Sequence, residues 1–364
     1  MYLSAYLTLE QTMNLDDPNY FRPIDSQNFI DDIDALPSQV ETAWALGQRL
    51  ALPESYKAIN QIVISGMGGS AIGGALAQAQ AAPECPVPIS ISRDYGLPAF
   101  AGANTLVICS SHSGNTEETL SAFEIARARG CKLLAITTGG KLNALAEEGG
   151  IPVWRFEHAG QPRAAVGFSF MLALAGLLKL GLIADKSSDV AEAVAAMRTQ
   201  QTHLRAETSV VQNPSKRMAG QLMNRIPAIF ASDYLAPVAR RWKGQISEIA
   251  KAWSQFEELP ELDHNSVVGT MYPEPLVSKF MVLFLRSAHD HPRNRLRSEV
   301  TREIYMTAGF NTDTIEASGA SPLAQMLTLI HSGDYTAYYL AMCYGVDPSP
   351  VPQIDYLKEQ LSRK

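Results

Sequence analysis

Short apolar runs bounded by glycine, proline and serine alternate along this chain with stretches of helical periodicity, which predicts strands and helices in turn. Five runs in the first half, "IVIS", "VPISIS", "TLVICSS", "KLLAITT" and "PVWRF", read as buried strands, with helical segments between several of them, notably at 117–129 and 143–148. Strands alternating with helices imply a doubly wound, mostly parallel sheet. The pattern restarts after residue 210, where "RIPAIFAS", "HNSVVG" and "KFMVLFLRS" read as strands and 235–253 as a helix. The predicted fold class is therefore α/β, with two doubly wound domains, each a mostly parallel sheet flanked by helices. Residues 1–55 form a helical segment packing on the core, with Val40, Ala43, Trp44 and Leu50 at helical spacing. Residues 56–185 form the first domain, 186–210 a polar, Ala-rich helical connection, and 211–364 the second domain with the C-terminal helices. The two halves are alike in plan but not obviously in sequence.

Composition narrows the class. With 364 residues, 46% hydrophobic and 18% charged, the chain can bury a core in each of two domains. A net charge of -7 leaves no electrostatic footprint for nucleic acid. The four cysteines show no CxxC spacing, and Cys109 sits inside an apolar run as a buried small hydrophobe. No disulfide framework is expected, so a cytoplasmic location is. The N-terminus lacks the basic flank and apolar core of a signal peptide. Residues 166–184 approach the length of a bilayer span, but Lys179 lies well inside them, and no aromatic belt brackets them. They are expected to form a helix buried in the α/β core, with no membrane partner.

Candidate chemistry begins with "VISGMGGSAIGG", five glycines in twelve residues between a strand and a helix start. Such a turn gathers backbone N–H groups that hold an anion. Gly66, Gly68 and Ala71 formally satisfy a dinucleotide fingerprint, with Asp94 placed for a ribose, which keeps a nicotinamide oxidoreductase open. A turn that only lets strand and helix pack closely is the plainer alternative. The next strand shifts the balance: "TLVICSSHSGNTEETL" ends in Ser110, Ser111, Ser113 and Thr116 and enters a helix. Asn115 is expected to cap that helix, with Glu118 completing a capping box. These hydroxyls also serve as ordinary turn formers, yet several on one turn suit the three oxygens of a phosphate monoester better than a pyrophosphate. A small phosphorylated molecule is the expected ligand.

"GMGGSAIGG" and "SSHSGNTEET" together resemble sugar-isomerase (SIS) domains. Three further segments, at 161–170, 240–269 and 346–361, make the chain similar to the bifunctional phosphoglucose/phosphomannose isomerase family over about residues 30–362. The Q-x-x-E-x-A-K segment followed by D-H-N is the most specific part. The resemblance implies two SIS-like domains and a phosphate site at Gly68, Gly69, Ser70, Ser111, Ser113 and Thr116. It also implies a homodimer with shared active sites. The activity implied is cofactor-independent interconversion of glucose 6-phosphate and mannose 6-phosphate with fructose 6-phosphate. Two positions depart from the family pattern. His112 stands where Tyr is expected but alternates away from the serines, and Ser349 stands where Thr is expected, a conservative change that bears on epimer preference.

Aldose–ketose isomerisation moves a proton between C2 and C1 through an enediolate, and needs a base, a cation near the enediolate oxygens and a ring-opening group, but no metal or nucleotide. Glu248 lies beside an apolar stripe of Trp242, Ile246, Ile249, Ala250 and Trp253, and periodicity alone would make it a surface partner of Lys251. The resemblance makes it the base. His264 precedes a predicted strand as a lone loop histidine, and the resemblance assigns it ring opening from the neighbouring subunit. Arg163, by itself a capping or surface arginine, is implied to stabilise the enediolate. Lys358, on a C-terminal amphipathic helix, is implied to line the pocket. "AHDHP" offers His289 and His291 at a spacing open to zinc, with no evident third ligand, so no metal is expected. A non-catalytic phosphosugar sensor of the same fold remains a rival of a different class, and it would need no base.

Overall fold

The computed structural model describes residues 13–363. Residues 1–12 of the predicted N-terminal segment lie outside the described residues. That segment is otherwise helical: α1 (Pro18–Phe21), α2 (Phe29–Asp34) and α3 (Leu36–Arg49). Of the predicted stripe, Val40 and Ala43 are fully covered, Trp44 nearly so, and Leu50 is half-buried.

The first sheet unit runs β1 (Gln61–Ser65), α4 (Gly68–Ala81), β2 (Ile89–Ser92), β3 (Thr105–Ser111), α5 (Glu117–Ala128), β4 (Lys132–Thr137), α6 (Gly140–Glu148), β5 (Val153–Arg155) and α7 (Val166–Lys179). Its five strands are parallel in the order β2-β1-β3-β4-β5. Parallel strands are covered on both faces, which is why they read as unbroken apolar runs. On β1, Ile62 and Ile64 enter the main core, whereas Val63 joins Cys109, Phe123 and Leu142 on the opposite face. The long apolar run forms α7, and every residue from Val166 to Leu177 is buried. Among the described residues no helix is long and apolar enough to cross a membrane.

The chain continues through α8 (Ser187–Gln201), which buries Val190, Ala193, Val194 and Met197. The second unit follows as α9 (Pro214–Leu222), β6 (Ile226–Ser232), α10 (Ala236–Ile249), β7 (Gln255–Leu259), α11 (Glu274–Val277), β8 (Phe280–Arg286), α12 (Pro292–Thr307), β9 (Asn311–Glu316), α13 (Pro322–Tyr344) and α14 (Pro352–Ser362). Its parallel sheet has the order β7-β6-β8-β9, which repeats the first four places of the other sheet. The predicted likeness in plan is a topological repeat. α13 is buried all round from Leu323 to Cys343, and one continuous cluster joins it to α3, α7, α8 and α10.

In the second unit one expected strand fails and two strands went unforeseen. "HNSVVG" is no strand: Glu261–His264 and Ser266–Val268 are single 3-10 turns, broken at Asn265, whose side chain accepts from the Ser266 N–H. The strand beside β6 is instead β7, "QFEEL", and β9 is "NTDTIE". Both are sheet edges whose positions are largely half-exposed, so their side chains are mostly polar and no apolar run marks them. The helix expected at 235–253 ends at Ile249, because Lys251 turns into the left-handed region at φ 56°.

The approach of α4 to α7 depends on Gly73, where an added Cβ would lie 2.2 Å from Ser169 Oγ and 2.7 Å from its backbone carbon. Gly73→Ala is expected to destabilise the fold by about 1–3 kcal/mol through overpacking, despite the better helix propensity of alanine. Urea denaturation, with a midpoint equal to or above that of the parent, would refute the contact.

Candidate active site

In each sheet the chain runs outward from the first strand to an edge and then returns to its other side, so a crevice opens where the two directions part, at the carboxyl ends of those central strands. In the first sheet this point lies between β1 and β3, and both predicted motifs follow these strands. Gly66 lets the turns meet, since a Cβ there would lie 2.8 Å from the Ser110 carbonyl oxygen. α4 begins at Gly68, whose φ is 49°, with Met67 as an N-cap that offers no side-chain hydrogen bond. α5 begins after Thr116 and also has no side-chain cap. Two uncapped helix starts face one crevice, which leaves backbone donors and positive dipole ends for an anion.

The hydroxyl turn is ordered from within. Ser111 Oγ lies 2.9 Å from Thr116 Oγ1 and accepts from the Gly114 N–H at 3.1 Å. Ser113 is exposed, and its Oγ accepts from the Asn115 N–H. Asn115 does not cap α5: its Oδ1 accepts from the Lys141 N–H and its Nδ2 donates to the Ser113 carbonyl, tying this turn to the start of α6. Thr116 takes the cap position instead. The His112 ring turns away from the serines, toward Phe156 and His158, with 3.1 Å between His112 Nε2 and His158 Nδ1. Burial, with His158 adjacent, pushes the His112 imidazole down to about 4.

The matching point of the second sheet carries different chemistry. Asp233 follows β6, and Asp290 follows β8 with its carboxyl raised to about 6 by burial. Two carboxylates repel a phosphate, so only the first crevice suits an anion. The histidines of "AHDHP" are used locally. His291 Nδ1 accepts from the Arg293 N–H at the start of α12, and His289 Nε2 meets the Ala320 carbonyl oxygen at 2.8 Å. Among the described residues no three His, Cys, Asp or Glu side chains gather as a metal site.

Beside the first crevice lies Arg163, on a short 3-10 turn (Pro162–Ala164). A Cβ on Gly69 would lie 3.1 Å from the Pro162 carbonyl oxygen, so the glycine turn and this loop are in near contact. Arg163 is only 5% exposed. Its Nη2 donates to the carbonyl oxygens of Pro348, at 2.7 Å, and Ser349, at 2.5 Å, while its Nε has no hydrogen-bond partner among the described residues. Burial lowers its pKa, and the carboxylates of Glu248, Asp32 and Asp347 oppose the shift. Glu248, half-buried in the last turn of α10, thus comes within electrostatic reach of Arg163.

The pairing of Glu248 with Lys251 exists in another form. Lys251 Nζ donates to the Glu248 backbone carbonyl at 2.6 Å and to the Pro348 carbonyl at 3.2 Å, leaving the Glu248 carboxylate free of it. Sequence reasoning also missed Arg241, whose Nη2 donates to the Arg163 carbonyl oxygen and pairs with Asp334 at 2.6 Å, both side chains being buried. A lone Asp on a helix with no other Asp, Glu, Lys or Arg was the available signal for Asp334.

Gly68, Gly69, Ser70, Ser111, Ser113 and Thr116 therefore surround one crevice, with Arg163 and Glu248 beside it. His264 and Lys358 are not brought to it within the chain. His264 ends a 3-10 turn after β7, exposed, with no side-chain hydrogen bond to Glu248 or Arg163. Lys358 is exposed on α14, which buries none of its residues. A cleft of about 770 Å³ lined by α8, α9 and β9 contains none of these residues.

The family described as bacterial phospho-glucose isomerase C-terminal SIS domain matches residues 211–361. A bifunctional phosphoglucose/phosphomannose isomerase of Caldicellulosiruptor bescii is 40% identical over 328 residues, covering 90% of this chain and 97% of that one. One of Aquifex aeolicus is 37% identical, covering 83% and 90%. Among solved structures, the C-terminal domain of glucosamine-fructose-6-phosphate aminotransferase from Francisella tularensis superposes with a TM-score of 0.70 at 13% identity, over 88% of this chain and 97% of that one. This last likeness is one of fold.

Replacing Ser111 and Ser113 together with alanine removes two hydroxyl groups from the crevice. Each hydrogen bond to a charged partner contributes about 1.5–3 kcal/mol, so calorimetric affinity for a sugar phosphate is expected to fall at least a hundredfold. An unchanged affinity in the folded double variant would place the phosphate elsewhere.

Proposed function

Because the chain belongs to the bifunctional phosphoglucose/phosphomannose isomerase family, we propose that it interconverts glucose 6-phosphate and mannose 6-phosphate with fructose 6-phosphate through an enediolate. The observation that carries this reading is a carboxylate and a buried guanidinium, Glu248 and Arg163, placed beside an anion crevice. Glu248 takes the proton from C2 and returns it to C1, while Arg163, with a free Nε, stabilises charge on the enediolate oxygens. Gly68, Gly69, Ser70, Ser111, Ser113 and Thr116 hold the phosphate. A phosphosugar sensor has no use for the carboxylate, and a dehydrogenase has none for the hydroxyl turn.

His264 opens the sugar ring, and Lys358 lines the pocket, each reaching the crevice in a homodimer. Two features support the dimer. The outer face of α12 exposes Leu296, Val300 and Ile304, and Val268, Met271 and Tyr272 are exposed in the segment that follows His264. These are large apolar groups of the kind a second copy covers. α14 likewise exposes Ile354, Leu357 and Leu361 at helical spacing on the helix that bears Lys358. Four free thiols among the described residues, with Cys109 and Cys343 buried, favour the cytoplasm.

The direct test is to supply fructose 6-phosphate and quantify both aldose products, with and without exhaustive chelation. Both aldoses are expected, with chelation having no effect. Loss of activity on chelation that zinc restores would overturn the cofactor-independent mechanism. Glu248→Gln is expected to abolish isomerisation and solvent deuterium exchange into the sugar together.

Subunit exchange tests the shared site. Glu248→Gln and His264→Ala dimers are each expected to be inactive, but in a mixed dimer one site carries both lesions and the other neither. Random reassortment makes about half the dimers mixed, so up to roughly a quarter of parental activity returns by two-fold symmetry. Activity near zero despite demonstrated exchange would place both residues on one chain.

A further inference from the structure

We propose that Lys251 is a positioning residue of the isomerase site, one that fixes the Glu248 carboxylate relative to the Arg163 guanidinium by bridging the end of α10 to the 347–349 loop. The inference rests on the isomerase reading of this site. Its first support is geometric: Lys251 Nζ donates to the carbonyl oxygens of Glu248, at 2.6 Å, and Pro348, at 3.2 Å. Arg163 Nη2 donates to the same Pro348 oxygen at 2.7 Å and to Ser349. One carbonyl thus receives both cations, and one lysine joins the backbone of the base to the loop that holds the guanidinium. The loop is anchored in turn, because Asp347 Oδ1 accepts from the Ser349 N–H at 2.9 Å and Asp347 Oδ2 accepts from Ser26 at 2.5 Å.

The second support is conformational. Lys251 has φ 56° just past the C-cap of α10, a place where helices ordinarily use glycine. A lysine in left-handed backbone is strained, and strain of that kind persists where the surroundings require the side chain. The turn folds the side chain back over the last helical turn, where Glu248 lies. The residue is exposed overall, but its ammonium is held between two carbonyls. Burial of that end, with Arg163 adjacent, brings it down to about 8, against the pull of Asp347 and Glu248. The charged groups facing it are those three, with Asp32 acting on Arg163 in turn. Above pH 8 the ammonium becomes a neutral amine and its charge-assisted bonds weaken, so the bridge loosens on the alkaline side.

The test compares Lys251→Met, Lys251→Gly and Lys251→Arg with the parent. Methionine and glycine are expected to lower kcat about ten- to a hundredfold, the scale of a misplaced catalytic group, with KM for fructose 6-phosphate within about twofold. The glycine variant is expected to keep its thermal midpoint, since it relieves the backbone. Arginine is expected to restore much of kcat and to lack the alkaline limb near pH 8 that is expected of the parent. Parental kcat in a folded Lys251→Met variant, or an unshifted limb in Lys251→Arg, would overturn the proposal. NMR titration of carbon-labelled lysine, with the Lys251→Met spectrum assigning the resonance, reads the bridge without turnover. A resonance lowered from the ordinary value of about 10.4 supports an ammonium enclosed beside Arg163, and one that moves with bulk solvent and is unaffected by Arg163→Lys overturns it. If the parent isomerises neither hexose phosphate, the function fails while this titration still decides the contact.

Discussion

The buried charge of Arg163 is the constraint on which the arrangement depends. Leaving a guanidinium inside a fold without partners costs several kcal/mol, so wherever Arg163 sits, acceptors must come to it. They come from the far end of the chain, as the carbonyls of Pro348 and Ser349. Its own carbonyl is held by Arg241 of the second unit, whose charge Asp334 of α13 balances. The guanidinium also lies over the Phe29 ring of α2, at 5.1 Å. The 348–349 loop and Phe29 thus meet at its side chain, and α10, backed by α13, at its backbone. The crevice of the first sheet and the helix that bears Glu248 cannot separate without exposing or stranding that charge.

The topological repeat gives the chain two crevices of equal plan but opposite electrostatics. Where the first has Gly68 at positive φ and a turn of serines, the second has Asp233 at φ 52° and a buried Asp290. The second crevice is closed by its own polar contacts. Ser287 Oγ lies 2.6 Å from Tyr234 Oη and donates to Gln325 Oε1, and the Ser287 N–H donates to Asp290 Oδ2. The second unit supplies α10, and with it Glu248, to the first unit's crevice.

Much of this was legible in the sequence because burial writes itself as apolar runs. All five strands of the first sheet announce themselves, as do β6 and β8, which are central in the second. The edges β7 and β9 do not, because their half-exposed positions carry mostly polar side chains where the edges β2 and β5 keep isoleucine, valine and tryptophan, and "HNSVVG" misled because valines in a short turn mimic a strand. Residue types and spacing marked the hydroxyl turn correctly as a cluster, but not which member caps α5. Asn115 and Thr116 are both good caps, and only the neighbouring start of α6, which claims the Asn115 side chain, decides between them. The contacts of Arg163 were not legible at all. Its close acceptors are backbone carbonyls, which every residue possesses, so no residue type advertises them.

The same reasoning explains why His264 and Lys358, members of the site only by proposal, differ in placement from Arg163 and Glu248. Residues positioned by a core inherit its rigidity, as Arg163 and Glu248 do from the cluster around α13 and α10. His264 stands on a 3-10 turn beyond an edge strand, and Lys358 on a helix that buries nothing. A chemical step needs its groups held within a fraction of an ångström, which neither element provides alone. Both elements carry exposed apolar side chains beside the polar group in question, Val268 and Met271 near the histidine and Leu357 and Leu361 around the lysine. Covering such surface releases about 25 cal/mol for each Å² removed from water, and the same act immobilises the polar groups it carries. In the proposed homodimer, assembly would supply to these two residues the positioning that folding supplies to Arg163 and Glu248.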